Sequence, residues 1–118
     1  YQVTDQGARE GNYLESSATA LFIYTLAKAI NKGYIGNEYI EPTQKAFDGM
    51  VKTFTRLEED GSYTITNCCA VAGLGGDSKR YRDGSFEYYI SEPIIENDPK
   101  SVGSFILAAI EYEKMTKK

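Results

Sequence analysis

From Leu14 onward the chain turns from polar and aperiodic to apolar. Between Ala18 and Ile30 only Thr19, Thr25 and Lys28 interrupt the hydrophobic residues, and Asn31, Lys32 and Gly33 supply a stop. A run of that length predicts a helix over Glu15 to Lys32, apolar nearly all round and therefore packed on most sides, an inner helix. After Gly36 and Asn37, the residues Ala46, Phe47, Met50, Val51, Phe54 and Leu57 fall on one helical stripe, while Lys45, Asp48, Lys52, Thr55 and Arg56 occupy the other face. This predicts a one-sided outer helix with Pro42 in its first turn, ended by the run from Glu58 to Gly61, although acids at a helix C-terminus oppose the dipole. From Ser62 to Ala72 the period shortens, with Tyr63 and Ile65 alternating with Thr64 and Thr66, as a short strand or hairpin would. Gly73 to Asp98 has no period and is rich in glycine, tyrosine and charge, the composition of a long ordered loop with a function. Asp98 and Pro99 are an N-cap acceptor followed by proline at the first helical position. The stripe Val102, Phe105, Ile106, Ala109 and Ile110, widened by Leu107 and Ala108, then predicts a second inner helix. Tyr1 to Tyr13, with Gly7 and Gly11 and no period, reads as an irregular lead-in.

The order is therefore inner helix, outer helix, β excursion, long aromatic loop, inner helix. A helix apolar on every side needs neighbours on every side, which three helices cannot supply to two such members. The pattern asks for partners outside these residues, either the rest of a larger helical array or further copies of the chain.

Composition narrows the chemistry. The 118 residues carry 13 basic and 17 acidic side chains, a net charge of −4, and 42% hydrophobic residues, which suits one ordinary folded domain. No apolar run reaches the roughly 18 residues of a membrane span, so no membrane partner is expected. The acidic balance, with basic clustering only at Lys114, Lys117 and Lys118, argues against nucleic acid. There is no histidine, so the usual proton shuttle and commonest metal ligand are missing, and catalysis here would have to use carboxylates, tyrosines or cysteine. Cys68 and Cys69 are neighbours, badly placed to bridge each other and too few for a closed zinc site, and read best as small buried apolar residues. Neither a metal nor a cofactor is expected. The chain starts at Tyr1, which raises the expectation of a processed protein or a piece of a longer one.

Gly73-Leu74-Gly75-Gly76 lacks the third glycine of the dinucleotide pattern and the Gly-Lys-Ser/Thr ending of a phosphate loop, and reads as a tight turn needing positive φ. Glycosidic chemistry needs a positioned acid and activated water, which makes Asp5, Glu10, Glu15, Asp83, Glu87 and Glu92 candidates, but spacing selects none of them. The aromatic loop says more. Tyr81, Phe86, Tyr88 and Tyr89 interleave with Arg80, Arg82, Asp83 and Glu87, the flat rings and planar charged groups that sugars meet in binding sites. The same tyrosines could equally pin the loop to its own domain. Arg9, Asn12, Tyr13 and Glu15 form a similar cluster at the mouth of the first inner helix, where a guanidinium could hold a carboxylate bidentately or simply sit in a surface ion pair.

These segments resemble a known family. The stretch Tyr1-Gln2-Val3-Thr4-Asp5-Gln6 with Arg9-Glu10-Gly11-Asn12-Tyr13-Leu14-Glu15-Ser16-Ser17-Ala18 resembles unsaturated rhamnogalacturonyl hydrolases, glycoside hydrolase family 105. So do Val71-Ala72-Gly73-Leu74-Gly75-Gly76, Arg82-Asp83-Gly84-Ser85-Phe86-Glu87-Tyr88-Tyr89-Ile90-Ser91-Glu92-Pro93, and Asn97-Asp98-Pro99-Lys100 before the last helix.

The resemblance implies an all-α fold, with residues 1–118 as the C-terminal fragment of a six-hairpin (α/α) barrel carrying a short β-hairpin excursion and a long ordered loop. It implies a parent enzyme that removes 4,5-unsaturated galacturonyl residues from pectin-derived oligosaccharides by hydrating the C4=C5 bond. It also implies that the catalytic aspartate, a histidine and tryptophans of the pocket lie upstream, one tryptophan immediately ahead of Tyr1, so no catalytic residue is assigned to this chain. Left as substrate-binding positions are Arg9, for the uronate carboxylate, with Asn12 and Tyr13 beside it, and Tyr88 and Tyr89 on the long loop. The expected partners are an unsaturated uronic-acid oligosaccharide and either the missing N-terminal part or a second copy, in the cytoplasm or periplasm of a bacterium. The rival from another class is a non-catalytic helical binding or self-assembly module.

Overall fold

The computed structural model describes residues 1–77 and 79–117. Lys118, part of the basic cluster named above, lies outside the described residues. Helix α1 (Ser16–Asn31) starts at Glu15, whose carboxylate accepts the Ser17 and Ala18 amides at 3.1 and 2.7 Å. It ends in a paired C-terminal closure, with Gly33 at φ 71°, the Gly33 amide on the Ile30 carbonyl and the Tyr34 amide on the Ala29 carbonyl. A 3-10 turn (Asn37–Tyr39) then leads into α2 (Ile40–Phe54), with Pro42 in its first turn.

Helix α2 stops at Phe54, short of the predicted end near Glu58. Thr55–Leu57 instead forms β1, paired antiparallel with β2 (Tyr63–Ile65) in the register Thr55↔Ile65 and Leu57↔Tyr63. Leu57, taken as the last member of the helical stripe, is an exposed strand residue. The switch keeps Glu58, Glu59 and Asp60 away from a helix C-terminus, where they would oppose the dipole. The predicted hairpin over Ser62 to Ala72 thus draws its first strand from what read as helix.

A second two-stranded sheet joins β3 (Cys68–Cys69) to β4 (Ile94–Ile95) and gathers the two ends of the long loop. That loop is not aperiodic throughout, because Phe86–Ser91 forms the short helix α3, capped by Ser85, whose hydroxyl accepts the Tyr88 amide at 3.1 Å. Six residues are too few to show a helical period, so only the Asp83-Gly84-Ser85 lead signals it. Helix α4 (Pro99–Thr116) starts as predicted, with the Asp98 carboxylate accepting the Lys100 amide at 2.8 Å. The two small antiparallel sheets qualify the all-α expectation, and helices supply roughly half the residues.

Helices α1 and α4 lie side by side and run the same way. Their starts meet through β3 and β4, and at the other end the Asn31 amide donates to the Glu111 carbonyl at 2.8 Å beside Ala27, Ile30 and Met115. Ala20 and Ala27 on α1 and Ser101 and Ala108 on α4 are fully buried, and their small size lets the two backbones approach closely. Helix α2 runs the opposite way outside them, with Ile40 at the Ile30–Met115 end and Met50 and Phe54 at the Ala20–Ile23 end; Phe47 stacks on Tyr112 at 3.8 Å. The chain covers only one side of each inner helix. Phe22 on α1 and Ile106 on α4 remain 61% and 55% exposed, with Leu21, Leu107 and Ile110 beside them, so the all-round burial read from the pattern is not achieved within these residues.

A candidate sugar-binding wall

The lead-in is organised by Asn12. Its amide donates to the Val3 and Gln6 carbonyls at 2.9 and 2.8 Å, and its carbonyl accepts the Val3 and Tyr13 amides at 3.2 and 3.0 Å. With both amide hydrogens and the oxygen engaged by backbone, Asn12 acts here as a scaffold that turns the segment back on itself. Gly11, at φ 85°, packs so closely on Ile90 of α3 that a Cβ would collide with its methyl. The lead-in therefore rests on α3, which lies about 80 positions away in the chain.

Arg9 makes that contact chemical. Its guanidinium lies over the Phe86 ring at 3.8 Å, donates to the Glu87 carboxylate at 2.5 Å and to the Gln6 side chain at 2.8 Å, and still leaves the side chain 47% exposed. The surface-ion-pair alternative is thus present, with the guanidinium laid flat on an aromatic ring as well. The Tyr13 side chain lies beside Cys69. Burial first, and then the adjacent Cys69 thiol, raise its hydroxyl far above the usual tyrosine range, so it stays protonated.

The aromatic loop is pinned from inside. Gly75 and Arg82 exchange amide–carbonyl bonds at 2.8 Å, with Gly75 and Gly76 at φ 76° and 123°, as the tight-turn reading of the glycines required. The Tyr88 hydroxyl accepts the Gly73 amide at 3.0 Å and lies against the Glu92 carboxylate, and the Tyr89 ring sits 5.0 Å from that of Tyr88 at 51°. Glu92 is wholly buried and holds Arg80 through Nη2 at 2.5 Å and Arg82 through Nε at 3.3 Å. Burial works against ionisation of Glu92, but the Tyr88 hydroxyl and the Arg82 and Arg80 guanidinium groups outweigh it and hold the carboxyl below its ordinary value of 4.5. A depressed folded-state value gives stability that is complete above 4.5 and lost as pH falls through the folded value. Thermal melts on an acid series should show this loss, and Glu92→Gln should flatten that part of the curve.

Of the candidate carboxylates, Glu15 is buried under the Ser17, Ala18 and Cys69 amides, Asp83 accepts the Ser85 amide, Glu87 pairs with Arg9, and Glu92 holds the arginines. Asp5 and Glu10 are exposed. Cys68 and Cys69 are free and buried, as their small-apolar reading required, and burial pushes the Cys68 thiol up. Among the described residues no three histidine, cysteine or acidic side chains are placed to hold a metal.

The structure therefore brings Arg9, Tyr88 and Tyr89 to one short helix, at the end where α1 and α4 begin; Asn12 braces the lead-in that carries Arg9, and Tyr13 lies beside Cys69 of β3. Sequence reasoning listed Glu92 among the candidate carboxylates but missed its part as the hub of Arg80 and Arg82. Its only signal was an acid ten residues after an arginine, which carries meaning only once the stretch between them, with α3 in it, brings the two side chains together.

Residues 1–116 match the family described as Glycosyl Hydrolase Family 88. The chain belongs to that family. This family 88 chain is 37% identical over 114 residues to Protein Atu3128 of Agrobacterium fabrum, covering 93% of this chain and 49% of that protein. The same figures describe its similarity to the 24.9 kDa protein in the picA locus of Rhizobium radiobacter. The chain spans about half the length of these curated relatives. Among solved structures it is similar to the family 105 glycoside hydrolase of C. acetobutylicum, with a TM-score of 0.92 and 46% identity over 96% of this chain and 31% of that one. The resemblance to family 105 read from the motifs thus stands at the level of the 88 and 105 glycoside hydrolases, and the fold is shared with part of a family 105 enzyme.

Proposed function

We propose that residues 1–118 form the C-terminal part of a single (α/α)-barrel domain and supply one wall of its sugar pocket. In this reading the parent enzyme removes 4,5-unsaturated galacturonyl residues from pectin-derived oligosaccharides. A proton is added at C4 and the hydroxyl of water at C5 of the double bond, and the resulting hemiketal opens to release the remaining sugar. The acid that delivers the proton lies outside these residues, and Arg9 takes the uronate carboxylate beside the Tyr88 and Tyr89 rings.

The observation that carries this reading is the seating of Arg9 on Phe86, one turn from the tyrosine pair, at the common starting end of α1 and α4. Two parallel inner helices with an antiparallel helix outside them, and apolar far faces left open, support the barrel part of the proposal. Those open faces at Leu21, Phe22, Ile106, Leu107 and Ile110 also favour the rival self-assembly module. The complete protein, given unsaturated rhamnogalacturonan disaccharide, should bleach the ultraviolet absorbance of the conjugated double bond. A stable absorbance, together with a mass in light scattering that grows with concentration, would favour the rival.

A further inference from the structure

We propose that Arg80 and Arg82, held by the buried Glu92, form a second recognition site for a carboxylate-bearing sugar, in addition to the one assigned to Arg9. The charges do not balance at this point of the loop: two guanidinium groups converge on one carboxylate. Glu92 is 0% exposed, while Arg80 and Arg82 are 58% and 28% exposed, so the anion lies at the bottom and the cations open towards solvent. The Glu92 contacts engage only Nη2 of Arg80 and Nε of Arg82, and no other side-chain hydrogen bond of either guanidinium occurs among the described residues. Both Nη groups of Arg82 are left as a planar fork, the arrangement that takes a carboxylate through paired hydrogen bonds, and Nη1 and Nε of Arg80, on separate edges of its guanidinium, are left as single charged donors.

Both guanidinium groups are held in place before any ligand arrives. A buried carboxylate is stable only when paired, so Glu92 keeps its arginines, and the Tyr88 hydroxyl closes its remaining side. The acids that flank the turn bond to backbone, Asp77 accepting the Lys79 and Arg80 amides and Asp83 the Ser85 amide, and among the described residues neither pairs with Arg80 or Arg82. Orientation that is already fixed lowers the ordering cost of binding. The ligand class, an acidic sugar, rests on the carbohydrate reading above and requires nothing of Arg9 or of the hydration step.

The test is titration calorimetry on the complete protein with saturated trigalacturonate, which has no double bond to hydrate, and with its carboxyl-reduced neutral counterpart. Arg80→Gln is expected to weaken trigalacturonate binding about tenfold and to leave the neutral sugar unaffected. Arg82→Gln should do the same, and if that variant fails to fold, the more exposed Arg80 decides alone. Lys79→Gln, an exposed cation outside the Glu92 contacts, should change little. No binding of trigalacturonate by the wild type, no change in Arg80→Gln, an equal loss in Lys79→Gln or an equal loss for the neutral sugar would each overturn the site. Hydration of the unsaturated disaccharide is followed in parallel. Absent hydration with Arg80-dependent trigalacturonate binding rejects the proposed reaction and keeps this site, whereas hydration with Arg80-independent binding rejects this site alone.

Discussion

Glu15→Ala should destabilise the complete protein by about 3 kcal/mol, lowering its melting temperature without a compensating change elsewhere. Glu15 is 2% exposed, and its Oε1 accepts the Ser17 amide, the Ser17 hydroxyl and the Cys69 amide while Oε2 accepts the Ala18 amide. Two of these donors are orphan amides of the α1 N-terminus, where an anion also meets the positive end of the helix dipole. The Cys69 amide is in strand β3, so the same side chain ties the first inner helix to the sheet that closes the long loop. An ordinary cap exchanged for alanine costs about 1 kcal/mol, and the buried amide of Cys69, left without an acceptor, adds about 1 to 3 kcal/mol. Glu15→Gln keeps one acceptor oxygen but turns an NH2 group towards donors, and should recover only part of the loss. Calorimetric melts of the three proteins check the order, and an alanine variant as stable as the wild type would remove Glu15 from its place as the link between helix and sheet.

Arg9→Ala should raise the Michaelis constant of the complete enzyme for the unsaturated disaccharide about 30-fold with little change in kcat, the loss expected when one member of a charge-assisted pair is removed. The stability cost should be small, since the Arg9–Glu87 pair is exposed on both sides and such pairs contribute about 0 to 1 kcal/mol. Arg9→Lys separates charge from shape. Lysine keeps the cation but loses the planar fork and the flat contact with Phe86, and should recover part of the affinity. Steady-state kinetics of both variants, with melting temperatures alongside, check the split. A Michaelis constant unmoved in Arg9→Ala would take Arg9 out of the substrate wall and leave it as a strap between the lead-in and α3.

Much of the fold was legible from local pattern because the signals are local. The run from Ala18 to Ile30 and the Asn31-Lys32-Gly33 stop place α1 within a residue of its observed ends, and Asp98-Pro99 places the start of α4. The end of α2 was not legible, because Leu57 continues the helical stripe and only its pairing with Tyr63 across the hairpin makes it a strand. Helix α3 was hidden by its length, and the strand Ile94–Ile95 by having only two residues. At the candidate wall, the resemblance named Arg9 for the uronate carboxylate, with Asn12 and Tyr13 beside it and Tyr88 and Tyr89 on the long loop. Asn12 turned out to serve the backbone, because an amide with two donors and an acceptor satisfies a tight loop wherever the loop closes on it.

By itself, the sequence determined the helical periods, the cap at Asp98, and an excess of apolar surface on two helices over what these residues can cover, since each depends on near neighbours and composition. Tertiary structure alone decided that Arg9 rests on Phe86 and that Arg80 and Arg82 share Glu92. Those pairings join the lead-in to α3 and the residues before α3 to the acid that follows it, and spacing along the chain says nothing about distance once the chain has doubled back.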